Sequence, residues 1–271
     1  MNEFVQIEFP SVSAEQKDIL IAKLTIISFE GFEETENGLK AFVAANEYNE
    51  NALNDITGEQ ETSFNKTIIK ATNWNEVWES NFDPVVVDDF VAIRANFHSP
   101  IKGVEHEIVV TPKMSFGTGH HATTYMMIQQ MKQIDFTDKT VLDFGTGTGV
   151  LAILAEKLGA KKIVAIDNDD WSIANAEENI RTNSCSRIEL EKADTPVSAF
   201  SFDIILANIN KNVIVENFPL LVKQTAKGGV LLFSGILRED EDVVFRNSVE
   251  YSLHLKQTTV RDNWLCLSFS C

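Results

Sequence analysis

Positive charge is what this chain lacks most: 23 Lys and Arg stand against 40 Asp and Glu, a net charge of −17 over 271 residues. Proteins that grip bare nucleic acid do so mainly by neutralising phosphates with Lys and Arg, so direct nucleic acid recognition is not expected. The acidity suits a small-molecule substrate or a basic protein partner, and serves plain solubility equally well. Cysteine is scarce too. Cys185, Cys266 and Cys271 show neither metal-ligand spacing nor a disulfide framework, which fits a reducing compartment. No apolar run approaches the roughly 20 residues that cross a bilayer, so no membrane span is expected. The stretch Met1-Asn-Glu-Phe4 lacks a basic region followed by an apolar core, so no signal peptide is expected and the cytoplasm is the expected location. Apolar residues are not scarce. At 44% they supply a real core, and the length accommodates one large domain or two modest ones.

The most informative stretch present is Val141-Leu-Asp-Phe-Gly-Thr-Gly-Thr-Gly-Val150, an apolar strand running through Asp143 into Gly145, Gly147 and Gly149. A second apolar strand, Ile163 to Ile166, ends in Asp167, 22 residues after Gly145. Glycines let a backbone turn tightly and approach a ligand without Cβ clashes. A carboxylate about 20 residues on is placed to bind ribose hydroxyls. Strand, turn, helix and second acid together predict a nucleoside-cofactor site. The spacing is Asp-x-Gly-x-Gly-x-Gly, not the Gly-x-Gly-x-x-Gly of dinucleotide sites, and it resembles that of the S-adenosylmethionine (AdoMet) methyltransferases.

Around this centre the chain divides in three. Residues 1–70 carry an alternating strand (Phe4 to Phe9), a helix after Ser13, a hairpin signal at Asn37-Gly38 and a strand near Thr67. That order predicts a small α+β, ferredoxin-like domain, with 13 acidic and 5 basic residues and a net charge of −8. Residues 71–112 form a connector, with Trp74 and Trp78 on one helix face as packing anchors and a strand pair at Phe90–Arg94 and Glu107–Val110. From 113 to 271, strands at 140–144, 162–167, 188–192, 202–208 and 229–234 alternate with helices, which predicts a doubly wound, Rossmann-like parallel sheet. Two further strands, 251–260 and 264–270, close it with a terminal antiparallel hairpin.

Three more places bear on chemistry. Met114-Ser-Phe-Gly-Thr-Gly-His-His-Ala-Thr-Thr124 is a glycine-rich loop before a helix, whose free N–H groups suit a polar ligand. His120 and His121 are adjacent, with no third ligand at metal spacing, so no metal is expected. Asn208 ends the strand beginning at Phe202, where open α/β sheets bind ligands. Its carbonyl accepts, and its amide donates, a hydrogen bond suited to an amine nucleophile. Asp194 follows the third strand as either an adenine contact or a turn residue.

Taken together, Phe116-Gly-Thr-Gly-His120, Thr123-Thr124, the Asp143–Gly149 turn, Asn208, Ser234-Gly-Ile-Leu237, Trp74-x-x-x-Trp78 and Phe82-Asp-Pro84 resemble the ribosomal protein L-eleven methyltransferases (PrmA family). The resemblance covers residues 71–240, and residues 1–70 in architecture. It implies transfer of methyl groups from AdoMet to lysine side chains and the N-terminal α-amine of that ribosomal protein. It also implies an N-terminal domain that recognises the substrate, a flexible connector and a monomeric enzyme. Carried over, cofactor contacts fall on Thr124, Gly145, Asp167 and Asn208, joined by Asp143, Gly147 and the loop Phe116, Gly117 and Thr118, with Asn208 as the catalytic residue. Three positions depart from the family pattern. His120 stands for threonine and Ala122 for proline, while Asn210 stands in the Asn-Ile-Leu segment and is expected to narrow or re-polarise the acceptor channel. The alternative is an AdoMet-dependent methyltransferase acting on another protein or a small molecule.

Overall fold

The computed structural model describes residues 4–35, 38–60, 62–69, 82–112, 117–196 and 200–271. Asn37, Trp74, Trp78 and Phe116, all singled out above, lie outside the described residues. The chain forms two compact units, Met1–Asn81 and Phe82–Cys271.

In the first unit, strand β1 (Phe4–Phe9) buries Val5, Ile7 and Phe9, the alternation its sequence predicts. Helix α1 (Ala14–Ile26) starts at a capping box: Ser13 accepts from the Gln16 N–H while the Gln16 side chain accepts from the Ser13 N–H. Strands β2 (Gly31–Glu34) and β3 (Leu39–Ala44) form the hairpin. Helix α2 (Glu50–Glu59), capped by Asn49, leads to β4 (Asn65–Ile69). The sheet order β2-β3-β1-β4, with every pair antiparallel, is the ferredoxin-like arrangement. Leu20 and Leu24 of α1 and Leu53 of α2 seal its core.

The second unit is built on a seven-stranded sheet. Its strands are β8 (Thr140–Phe144), β9 (Lys162–Asp167), β10 (Ile188–Lys192), β11 (Phe202–Asn208), β12 (Thr225–Leu237), β13 (His254–Arg261) and β14 (Trp264–Ser270). Their order is β10-β9-β8-β11-β12-β14-β13, parallel from β10 to β12 and antiparallel over the closing hairpin. Helices α3 (Ala122–Met131), α4 (Val150–Lys157), α5 (Asp170–Thr182), α6 (Lys211–Gln224) and α7 (Glu241–Glu250) cover it, leaving an apolar core on each face. Strand β11 is buried at nearly every position, as expected of a central parallel strand.

A smaller sheet precedes this domain. Strands β5 (Val85–Val87), β6 (Val91–Ala95) and β7 (His106–Val110) lie in the order β5-β6-β7, and β6 and β7 run parallel. The sequence predicts β6 and β7 but not the three-residue β5. Three asparagines, one turn apart on α5, fasten this sheet to the main one. Asn183 accepts from the Val109 N–H and donates to the Val109 carbonyl. Fully buried Asn179 accepts from the Thr111 N–H and donates to the Thr148 carbonyl, both at 2.8 Å. Asn175 donates to the Thr111 carbonyl.

Asn179 thus holds two backbone groups from segments far apart in sequence. Removing a buried partner costs each such group roughly 1–3 kcal/mol. An Asn179→Ala protein should therefore lose about 3 kcal/mol, measured as a lower urea midpoint with an unchanged slope. A midpoint matching the wild type would show that water replaces both bonds.

Candidate active site

The site lies beyond the carboxyl ends of β8, β9 and β11. Here the strand order reverses, since β8 has β9 on one side and β11 on the other. Chains leaving these two strands diverge to opposite faces and open a crevice. The turn after β8 is built from Gly145, Gly147 and Gly149, at φ +75°, +55° and +80°. A Cβ at Gly145 would collide with the Ile209 side chain, so the position requires glycine on space as well as conformation. The Ile166 carbonyl accepts from both the Gly145 and Thr146 N–H groups at 2.9 Å. The Gly147 N–H donates to Asp167 Oδ2 at 2.8 Å, and the Asp169 N–H to Oδ1 at 3.1 Å. Helix α4 (Val150–Lys157) follows Gly149, which caps it without a side chain, and the Ala152 N–H of its first turn points to Asp143.

Beneath the turn lies Asp143, 1% exposed. Thr146 donates to its Oδ2 at 2.6 Å, and Oδ1 has no hydrogen-bond partner among the described residues. Burial, with a smaller push from the charge of Asp167, raises this carboxyl to about pH 7 in pKa, against the pull of the Thr146 hydroxyl and the Ala152 N–H.

A second loop meets the glycine turn. Thr148 donates to the Gly117 carbonyl at 2.9 Å. His120 turns outward: its Nδ1 meets the Thr118 hydroxyl at 3.1 Å and its Nε2 the Asp83 carbonyl at 2.9 Å. It ties the loop to the start of this unit and does not line the crevice. His121 is the N-cap of α3, with Nδ1 facing the Thr123 hydroxyl at 2.8 Å. Ala122 is thus the first helical residue, the one interior position where proline and alanine are both at ease, so that departure leaves the helix start intact. Asn208, 7% exposed, donates from Nδ2 to Thr124 Oγ1 at 3.1 Å. Its Oδ1 has no partner among the described residues.

These elements enclose a cavity of about 470 Å³. The sheet order fixes its two ends. Asp167, Asn168, Ser172, Ala193 and Asp194 follow β9 and β10 and make a carboxylate-bearing end. Asn208 and Ile209 follow β11, Gly235 lies on β12 and Trp264 on β14, and with His121 they make an apolar, aromatic end. Gly145, Gly147, Asp167 and Asn208 all line it. Gly117 and Thr124 line a narrower recess with Gly145 and Asn208. Asp143 lies below the floor, and Thr118 is engaged with His120. Asn210 also lines the cavity, but its Oδ1 accepts from the Asn212 N–H at 2.8 Å as the cap of α6. That bond occupies the amide oxygen at the start of α6. Among the described residues no His, Cys, Asp or Glu side chains group as metal ligands, and no helix is long and apolar enough to cross a membrane.

Sequence reasoning missed Ile209, Ser172 and Trp264. Nothing in the pattern of β14 marks Trp264, because its role depends on the neighbours β12 and α3 bring to it. Ile209 carried a signal, since an apolar side chain directly after Asn208 needs a hole, and Gly145 supplies it.

Known proteins share this arrangement. The sequence profile of the ribosomal protein L11 methyltransferase (PrmA) family matches residues 4–271. A ribosomal protein L11 methyltransferase of Porphyromonas gingivalis is 37% identical over 264 residues, covering 93% of this chain and 90% of the relative. One from Chlorobaculum tepidum is 36% identical over 267 residues, covering 94% and 92%. The crystal structure of a ribosomal protein L11 methylase from Lactobacillus delbrueckii subsp. bulgaricus superposes with a TM-score of 0.65 at 29% identity, over 70% of this chain and 98% of that one.

The raised carboxyl of Asp143 has a consequence for stability. The folded protein holds this proton up to about pH 7, whereas the unfolded chain releases it near pH 4. The resulting penalty on folding is absent below pH 4, grows between pH 4 and 7, and is full above it. Asn at this position is neutral throughout. Asp143→Asn should therefore gain on the wild type as pH rises from 4 to 7, by up to about 4 kcal/mol, and the gap should level off above pH 7. Denaturation at a series of pH values measures it, and a pH-independent gap would show that Asp143 ionises normally.

Proposed function

The chain belongs to the PrmA family and is an AdoMet-dependent methyltransferase; on that premise we propose that it methylates amino groups of ribosomal protein L11, both lysine side chains and the N-terminal α-amine, as a monomer in the cytoplasm. The carrying observation is Asn208 Oδ1, a buried carbonyl with no partner among the described residues, in the same cavity as Asp167. A buried acceptor left empty costs free energy, and an amine N–H supplies what it lacks.

The cavity fits AdoMet in size and chemistry. About 470 Å³ lies within the usual range of small-ligand sites. Each Asp167 oxygen accepts one backbone N–H and keeps capacity for a ribose hydroxyl. Asp194, Asn168 and Ser172 would hold the nucleoside beyond it, while Thr124, Gly117 and the Gly145–Gly147 backbone would hold the end nearest the reaction. AdoMet held there would supply an electrophilic sulfonium methyl for the amine lone pair, the S–C electron pair remaining on sulfur. The residues of this chain then have two tasks. Asn208 fixes the amine by accepting its N–H, with its own amide oriented by Thr124. Ile209, Phe144 and Val213 exclude water, which favours the neutral amine over the ammonium. Most of the acceleration is positional. The first unit is assigned substrate recognition, since its charge of −8 over residues 1–70 complements a basic ribosomal protein.

Purified protein incubated with AdoMet and unmodified L11 should show mass steps of one methyl. Asn208→Ala should lower kcat roughly 100-fold while leaving the AdoMet Kd nearly unchanged. Asp167→Ala should weaken AdoMet binding at least tenfold, since hydrogen bonds to a charged group are worth roughly 1.5–3 kcal/mol. Near-normal turnover in the first mutant, or unchanged calorimetric affinity in the second, would refute that residue's role. No mass step despite AdoMet binding would move the substrate to another protein or a small molecule.

A further inference from the structure

We propose that Trp264 is the face that receives the methyl-accepting nitrogen and favours it as positive charge arrives there. This rests on the amine-methylating reading above. Four observations place it. Trp264 lines the cavity at the Asn208 end, away from the Asp167 and Asp194 carboxylates across the sheet. Its indole is held in a fixed plane by His121, with ring centroids 4.9 Å apart at 69°. His121 is itself held by its capping contact with Thr123, so the pair does not swing freely. Finally, β12 slips register against β14 between Ser234 and Ile236, and Gly235 at that slip has φ +83°. A Cβ on Gly235 would strike the Ile209 backbone, so glycine there lets the segment after Asn208 pack close to β12 beside Trp264.

Among the described residues no carboxylate lines this end of the cavity to neutralise a cation. As the methyl arrives, the acceptor nitrogen changes from neutral to positive, and each further methyl makes the cation bulkier and less hydrated. An aromatic face is the surface that attracts such a cation without hydrating it. Because the attraction grows as the charge forms, it acts on the transition state more than on the bound amine.

The test separates binding from turnover. A short peptide carrying one trimethyllysine, and the same peptide with its uncharged carbon isostere, are titrated into the full chain by calorimetry. Wild type should bind the charged peptide roughly fivefold or more tightly, Trp264→Leu should lose that preference, and Trp264→Phe should keep part of it. In the transfer assay Trp264→Leu should lower kcat roughly tenfold with the AdoMet Kd within twofold, and that Kd also certifies its fold. Equal binding of the two peptides by wild type, or an undiminished preference in Trp264→Leu, overturns the inference. Weakened AdoMet binding at unchanged kcat overturns it too, by making Trp264 a cofactor wall. A charge preference that depends on Trp264, without transfer to L11, supports the aromatic face and removes only the assigned substrate.

Discussion

Everything in the second unit hangs on how the turn from Phe144 to Gly149 is kept open. A strand-to-helix turn of glycines is the most costly kind of backbone to order, because glycine loses the most conformational freedom on folding. Here that cost is met by contacts from every side. Ile166 receives two of its N–H groups and Asp167 a third. Asp143 holds Thr146 from below, and Thr148 reaches out to Gly117. None of these contacts fills the space above the turn. The chain therefore spends its hydrogen bonds on fixing a hollow, and the hollow is the site.

Asp143 shows what that arrangement costs. A carboxyl with 1% exposure and one oxygen without a partner is a poor stabiliser, and the proximity of Asp167 makes its charge less welcome still. A well-packed neutral residue would suit the fold better. Binding of a cationic ligand above the turn reverses the balance, since a positive charge nearby favours the ionised carboxyl. The two acids thus stand at different depths: Asp167 lines the cavity, and Asp143 lies buried close enough to feel its charge.

Much of this was legible in the sequence, for identifiable reasons. The glycine turn, Asp167 and Asn208 sit at fixed distances along strands and turns, so spacing alone predicts their meeting. The ferredoxin-like order follows from alternation and from caps such as Ser13, which are local signals. What stayed hidden depends on contacts between distant segments. Asn175 and Asn179 are fully buried because the backbone at Thr111 and Thr148 lies against them, and no local pattern marks either residue for that. Strand β5 is three residues long, too short to show periodicity. Asn210 lines the cavity and also caps α6, a second role that its sequence position does not show.

The proton economy of the cavity explains why it is lined as it is. Among the described residues its titratable side chains are His121, Asp167 and Asp194. Asp167 and Asp194 lie at the far end, beyond the glycine turn. His121 has its Nδ1 engaged at the start of α3, against the Thr123 hydroxyl and N–H. Among the described residues no carboxylate stands at the Asn208 end to take a proton from an ammonium. The amine has to shed it on entry, and the walls enforce this, because an apolar channel charges more for an ammonium than for an amine. On the proposed reading, Asn208 Oδ1 is then the acceptor that meets a neutral nitrogen and orients its lone pair, with no base of its own. A cavity with a carboxylate at this end would hold the ammonium firmly and leave it unreactive. The separation of acids from aromatics along the sheet is thus a condition of the chemistry.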